Sequence, residues 1–455
     1  MARLVHNTLN AFDAFDDRLA LIEGDVEFTY RELLAEINRF ARALSRHGLK
    51  RGDGLGVQSG NRWELLVLKF AAQVLGLRFV AMDPSHVVGG LPFLVQDIDA
   101  ALILTEDDLG SFASTEDSTE PVAVQALDSD IAQLVYTGGT TGESKAVMLT
   151  FEALEFVTAS FAARPPYPAD TRLIVVTPLA HALGTVGPAL MRLGVPLEIH
   201  REFEVGSFVD AVKRAGSAAV HFYPSYLYRL LDEAGEIPGL AHVTTGGAPL
   251  LPSRYQEAID RYGPIVAQAY GQFESFAITY LDHGDAADHL TSVGEPVPGV
   301  ELKIDGGHVL VRSPGTMTGY WRRPNLTAEV LQDGWLRTGD LGSRVDGHLH
   351  LAGRAAEVIV VNADTCYVAP IEAALASHPD VAQAAVVGVP DARTGQAIHA
   401  VVEPLPGRSP DSDVLRRMVS EQVTPEHVPQ HVTFVDRLPL TPLGKPDKKA
   451  LPRPH

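Results

Sequence analysis

Across residues 30–48, Leu33, Leu34, Ile37, Phe40, Ala41 and Leu44 recur at helical spacing, and Gly48 closes the run. The spacing predicts an amphipathic helix. A short apolar run, GLGVQ, follows at 54–58, then a helix-like RWELLVLKFAAQVLGL at 62–77, then RFVAMDPS at 78–85. Strand, helix and strand in this order read as a βαβ unit with parallel strands. The pattern returns in AALILTE (100–106), RLIVVTPL (172–179), VPLEIH (195–200), AAVHFYPS (218–225), HVTTGGAPL (242–250) and IVAQAYGQFE (265–274). These runs are largely apolar rather than alternating, as burial on both faces of a sheet requires.

After about residue 290 the pattern changes. GVELKIDGGHVLVRSPG (299–315) reads as short alternating strands joined by turns, and LHLAGRAAEVIVV (349–361) leads into a last segment. That segment has its own strands, VAQAAVVGV and AIHAVVEPL, a helix, SDVLRRMVSEQV, and a closing loop, LPLTPLGKPDKKAL. The expected fold class is α/β: a large N-terminal domain (1–352) of parallel or mixed sheets with flanking helices and a small β-subdomain, and a small α+β C-terminal domain (353–455). The joint falls near Gly353.

Composition narrows the function. The chain has 455 residues, and 45% of them are apolar, enough for sizeable cores. Its formal charge of −20, with no basic balance, gives no footprint for nucleic acid. The one cysteine, Cys366, excludes an intrachain disulfide framework, fits a reducing cytoplasm and carries no Cys-His signature. The opening MARLVHNTLNAFDAF lacks the features of a signal peptide. The longest apolar run is interrupted by Lys69 and Gln73 and is too short to span a bilayer. A cytoplasmic protein without membrane association is expected, and a homodimer is left open.

The chemistry begins at YTGGTTGESKA (136–146), which follows the apolar IAQLVY. Glycines let backbone N–H groups approach a ligand, threonine hydroxyls donate, and Lys145 adds positive charge, a combination suited to a polyphosphate. It is not a Walker loop: neither Gly138 nor Gly139 opens a G-x-x-x-x-G-K-[ST] frame.

With this loop, TPLAHALG (177–184), TTGGAPL (244–250), AYGQFES (269–275), GWLRTGDLG (334–342), GRAAE (353–357) and PLTPLGKPDKKAL (439–451) follow in order. Together they resemble the adenylate-forming, or AMP-binding, superfamily of acyl- and aryl-CoA synthetases, peptide-synthetase adenylation domains and luciferases, along essentially the whole chain. The resemblance implies a ligase that uses ATP and Mg2+ to convert a carboxylic acid into an acyl-adenylate with release of pyrophosphate. It implies that Thr137, Gly139, Thr140, Thr141 and Lys145 hold phosphates, with Gly138 where a serine is usual. Gly247 and Ala248 would pass close to the adenine, and Tyr270 would stack on it. Glu274 would hold Mg2+, with Phe273 in place of the usual threonine. Asp340 would accept bonds from both ribose hydroxyls, and Arg354 would reach ribose or phosphate. His181 would gate the acid pocket, although a core or capping histidine is the other reading. Lys445 would stabilise charge developing on the α-phosphate. Lys448 and Lys449 lie beside it, so a solvated basic tail is the competing reading.

The resemblance further implies that the C-terminal domain is mobile and rotates to admit a thiol, from CoA or from the pantetheine arm of an acyl carrier protein. Here the sequence departs from the pattern. Ala356 stands where the hinge is usually Asp or Lys, and VVNADTCYVAP (360–370) lacks the usual glycines. Transfer to an amine or another nucleophile therefore stays open, as do adenylation of an unusual acid such as nitrite and a non-catalytic adenylate-binding role. His181, His221, Phe222, Tyr223, Gly246 and Phe273 are the candidate pocket walls. They suit an aryl or small to medium apolar acid. His221 and Tyr223 are equally compatible with a buried strand core. No acidic residue lies in TPLAHALG to pair with the ammonium of an α-amino acid.

Overall fold

The computed structural model describes residues 1–83, 97–137, 145–162, 167, 170–361, 364–391, 393–441 and 446–454. The first predicted helix forms over Tyr30–Arg46. Thr29 caps it: the Glu32 backbone N–H donates to Thr29 Oγ1 at 3.2 Å, and the Thr29 N–H donates to the Glu32 carboxylate at 2.8 Å. Tyr30, Leu33, Ile37, Phe40, Ala41 and Leu44 turn inward, and Gly48, at φ +85°, lets the chain leave the helix.

Among the described residues the strands assemble into four sheets. In the largest, Ala218–Phe222, Leu240–Gly246 and Val266–Gln272 lie side by side in parallel, with Arg172–Val175 and Leu197–Ile199 beyond them. The sheet is mixed, with antiparallel margins. Ser275–Leu281 folds back on Val266–Gln272, and Val26–Thr29 pairs antiparallel with Leu19–Glu23. The second sheet contains the predicted Gly54–Gln58, Arg78–Met82 and Ala100–Thr105 in parallel, and adds the antiparallel pair Ile131–Thr137 and Lys145–Thr150. In the third, Glu301–Asp305 and His308–Arg312 form the expected hairpin against Trp335–Val345. Its partner His348–Arg354 carries this sheet through Arg354. The turn Ala355–Glu357 then leads to the fourth sheet, in which Val381–Asp391 pairs with Gly395–Pro404. The ends of the parallel strands and the turns after them carry the candidate site residues, as open α/β sheets commonly arrange it.

The helix Trp63–Leu75 is buried on nearly every side, and Lys69 is buried with it. Its ammonium donates to the carbonyl of Gly184 at 2.5 Å and to Gln133 Oε1 at 3.1 Å. Burial pushes its pKa down to about 7. An unfolded lysine titrates near 10.4, so between about 7 and about 10 the unfolded chain binds the extra proton and stability rises with pH. Replacing Lys69 with methionine should remove this rise, a difference on the order of a few kcal/mol. Denaturant midpoints of both proteins at pH 7 and pH 9.5 test it. A parallel pH response in the two would show that Lys69 is charged in the fold at both values.

Candidate active site

One hairpin organises the site. Its strands are Val266–Gln272 and Ser275–Leu281, and the register shifts between Tyr270 and Gln272. Gly271 sits in that bulge, where a Cβ would lie 1.9 Å from the carbonyl oxygen of Phe276, so only glycine fits. The bulge and turn direct Tyr270 and Glu274 to two different clusters.

At the first, the Tyr270 hydroxyl donates to Asp340 Oδ2 at 2.6 Å, and Arg354 Nε lies 2.9 Å from Asp340 Oδ1. Asp340 and Arg354 face each other across neighbouring antiparallel strands. Thr338 fixes the approach: its hydroxyl donates to the Val309 carbonyl at 2.9 Å and accepts the Asp340 N–H at 3.1 Å. Gly339, at φ +79°, makes the bend between them. Burial first, then the Asp340 charge, hold the Tyr270 phenol well above its ordinary pKa, so it remains a donor.

At the second cluster, Glu274 is buried and Lys145 Nζ stands 3.6 Å from its Oε1. Tyr320 joins them: Lys145 donates to its hydroxyl at 2.6 Å, and that hydroxyl donates to Glu274 at 2.7 Å. Burial and the Glu274 charge raise the Tyr320 pKa, which keeps this proton on the phenol. Thr137 pairs with Lys145 across the strands, so the ends of the glycine-rich loop meet here. Gly139, Thr140 and Thr141, within that loop, lie outside the described residues, and so does Lys445. Among the described residues no three His, Cys, Asp or Glu side chains gather to hold a metal. A single buried carboxylate beside a lysine fits Mg2+, which commonly takes one or two carboxylates and completes its shell with substrate phosphates and water.

The third group lies at the ends of the parallel strands. The His181 ring meets Phe273 edge-on at 5.1 Å. Asn61 fixes the TPLAHALG turn: it accepts the Leu179 N–H at 2.7 Å and donates to the carbonyls of Thr177 and His200 at 3.1 and 3.0 Å. His221 and Tyr223 are buried. A Cβ on Gly246 would come within 3.4 Å of His221 Cε1 and 3.0 Å of the Ala269 carbonyl. A Cβ on Gly247, at φ +81°, would meet the Tyr223 ring at 3.3 Å. Ala248 follows, half-buried. Phe222 is not a wall of this pocket. Adjacent to His221 on a strand, it faces the other side of the sheet, where it packs against Phe203 at 5.1 Å and Phe208 at 5.3 Å.

Lys448 is likewise not part of a solvated tail. Its ammonium lies 2.7 Å from Glu357 and 3.1 Å from Glu372. Burial disfavours its charge, but Glu372 and Glu357 outweigh this and raise its pKa. Tyr320, Asn61 and Thr338 were not singled out in the sequence. Tyr320 and Asn61 act through contacts with residues distant along the chain, and no local motif marks them; Thr338 lies inside GWLRTGDLG, two residues from the Asp340 it supports.

These clusters lie on a large mixed α/β domain followed by a small one, the arrangement of the adenylate-forming ligases. The family model for AMP-binding enzymes matches residues 10–321, and that for the AMP-binding enzyme C-terminal domain matches residues 370–445. The chain belongs to the AMP-binding enzyme family. A medium/long-chain-fatty-acid–CoA ligase of Mycobacterium tuberculosis is 30% identical to it over 98% of this chain and 89% of its own length. A feruloyl-CoA synthase of an Amycolatopsis species is 30% identical, with 94% of each chain covered. The structure is also similar to the amide bond synthetase McbA from Marinactinospora thermotolerans, with a TM-score of 0.89, 31% identity and 98% of each chain covered.

Proposed function

We propose that this enzyme activates an aryl or small to medium apolar carboxylic acid with ATP and transfers the acyl group to the thiol of CoA or of a carrier-protein pantetheine. The observation that carries the reading is the hairpin turn at Tyr270–Glu274, which serves both the Asp340–Arg354 pair and the Glu274–Tyr320–Lys145 cluster. A nucleoside triphosphate presents hydroxyls at one end and a polyphosphate at the other. Asp340 accepts from the ribose hydroxyls, with Arg354 beside it. Thr137, Gly139, Thr140, Thr141 and Lys145 hold the phosphates. Gly247 and Ala248 give the adenine a surface without bulky side chains, and Tyr270 lies against it. Glu274 holds Mg2+, which neutralises phosphate charge when bound.

The acid carboxylate attacks the α-phosphorus, and pyrophosphate departs with the electrons of the broken P–O bond. Lys445 donates hydrogen bonds to the phosphoryl oxygens as their charge grows, favouring the transition state over the ground state. The thiol then attacks the acyl carbonyl as thiolate, and AMP leaves. The segment 353–455 turns between these steps about the joint at Gly353, with 1–352 as the adenylation core. His181 and Phe273 close the acid pocket, and His221, Tyr223 and Gly246 line it.

A second acceptor class has its own support. Ala356 at the joint, the glycine-free sequence after it and the likeness to an amide bond synthetase favour an amine as the final nucleophile. Pyrophosphate release across a panel of aryl and aliphatic acids, with CoA, with amines and with neither, decides between them. Acid-dependent release with thioester formation supports the first reading. An amide product without thioester supports the second. Absence of acid-dependent release for every acid overturns both.

A further inference from the structure

A proline, Pro188, stands inside the buried helix Leu183–Met191. Proline has no N–H, so the carbonyl four residues earlier, that of Gly184, has no donor within its own helix. A buried carbonyl without a donor is unfavourable. The helix Trp63–Leu75 supplies one: the Lys69 ammonium reaches the Gly184 carbonyl at 2.5 Å. This gives a reason for a lysine buried among apolar neighbours.

Gly184 also ends the TPLAHALG turn that carries His181. Its N–H donates to the His181 carbonyl at 3.0 Å, and the His181 N–H donates to the Pro178 carbonyl at 3.0 Å. A Cβ on Gly184 would lie 2.0 Å from the Leu179 carbonyl oxygen, so the turn closes too tightly for a side chain there. Asn61, just before the helix Trp63–Leu75, holds the other end of the turn through the Leu179 N–H and the Thr177 carbonyl. His181 therefore sits between two anchors supplied by one stretch of chain, and its ring meets Phe273. Gln133, the second partner of Lys69, lies within a strand whose register with Phe79 and Leu149 already fixes its backbone. The element that depends on Lys69 is the turn.

We propose that Lys69 is a positioning residue for acid selection: by bonding the carbonyl that Pro188 leaves open, it fixes the His181 turn and with it the size of acid the pocket accepts. The inference rests on the acid-activation reading above and assigns selectivity to a side chain behind the proposed pocket wall. A well-placed wall separates acids that differ by one methylene by about 10–200-fold, and a wall that drifts loses that separation.

The test measures kcat and KM for pyrophosphate release along two series, benzoate to 3-phenylpropanoate and butanoate to octanoate. Wild-type enzyme should separate its best acid from the next homologue by about tenfold or more in kcat/KM. Lys69→Met keeps bulk without the donor. It should raise KM for the best acid about fivefold or more, bring the separation toward unity and leave KM for ATP within about twofold. Adding Pro188→Ala returns an N–H to the helix, so the double variant should recover most of the acid KM and the separation. Asn61→Ala, which frees the other end of the turn, should lose selectivity and not be rescued by Pro188→Ala. Thermal melts check folding; if Lys69→Met alone does not fold, a folded and selective double variant supports the proposal. An unselective wild type, a Lys69→Met enzyme that keeps its selectivity, equal losses toward acid and ATP, or a double variant that fails to fold or regains nothing would each overturn it, while acid-dependent release in the wild type would leave acid activation standing. Silence of the wild type on every acid would remove acid activation and this role together.

Discussion

Replacing Asp340 with alanine is expected to lower kcat/KM for ATP on the order of 10²–10³-fold. Two effects combine. The substitution removes the carboxylate proposed to accept the ribose hydroxyls. It also takes the shared acceptor from Tyr270 at 2.6 Å and Arg354 at 2.9 Å, leaving a buried phenol and a guanidinium without it. Asp340 is buried but the Arg354 side chain is 44% exposed, so water can take over part of the guanidinium's bonding and the loss falls mainly on the proposed ribose contact and on the buried Tyr270 hydroxyl. Asp340→Asn keeps the shape and one acceptor oxygen, so it should lose less, with the loss concentrated in nucleotide affinity. Calorimetric titration with ATP, beside steady-state kinetics and far-UV circular dichroism, separates binding from folding. A folded Asp340→Ala protein that binds ATP within threefold of wild type would place the nucleotide elsewhere.

The second large effect is expected from Lys445→Ala. Residues on both sides of Lys445 are well anchored. Leu440 and Pro446 form a β-bridge, the Asp447 N–H donates to the Pro439 carbonyl at 2.7 Å, and Lys448 is held by Glu357 and Glu372. The described residues that flank Lys445 in the sequence are thus tied into the small domain. If it meets the α-phosphate only during adenylation, its loss should slow pyrophosphate release on the order of 10²–10³-fold. The same variant, supplied with preformed acyl-adenylate, should make thioester at a rate near that of wild type. Equal loss in both half-reactions would assign Lys445 to general binding or folding, and no loss in either would remove it from the chemistry.

Both predictions rest on positions that the sequence marked, and the way the structure uses those positions shows what a sequence can hold. Asp340 and Arg354 were legible because GWLRTGDLG and GRAAE are short and ordered, and each supplies one charged side chain of a defined kind. The helix Tyr30–Arg46 was legible because its 3.6-residue period follows from which face is buried, and the parallel strands because burial on both faces leaves short, largely apolar runs. Tyr320 was not legible. It joins Lys145 to Glu274 from 175 residues away from the lysine, and nothing near it in the chain announces that partner. Asn61 holds the turn before His181 across 118 residues for the same reason. Phe222 shows the converse: it belongs to the right strand, but one position of alternation sends it to the opposite core.

The sequence by itself determined the period of the main elements, the residue types available for the chemistry and their order along the chain. Those properties are local, and motif spacing preserves them. The tertiary structure decided which side chains share a proton or a charge. It paired Glu274 with Tyr320, buried Lys69 against Gly184, drew Lys448 into a carboxylate pair and gathered His242, Thr244 and Tyr280 at one end of a sheet face. Such pairings depend on sheet order, register and the bulge at Gly271, which bring distant segments within hydrogen-bond reach only once the chain is packed.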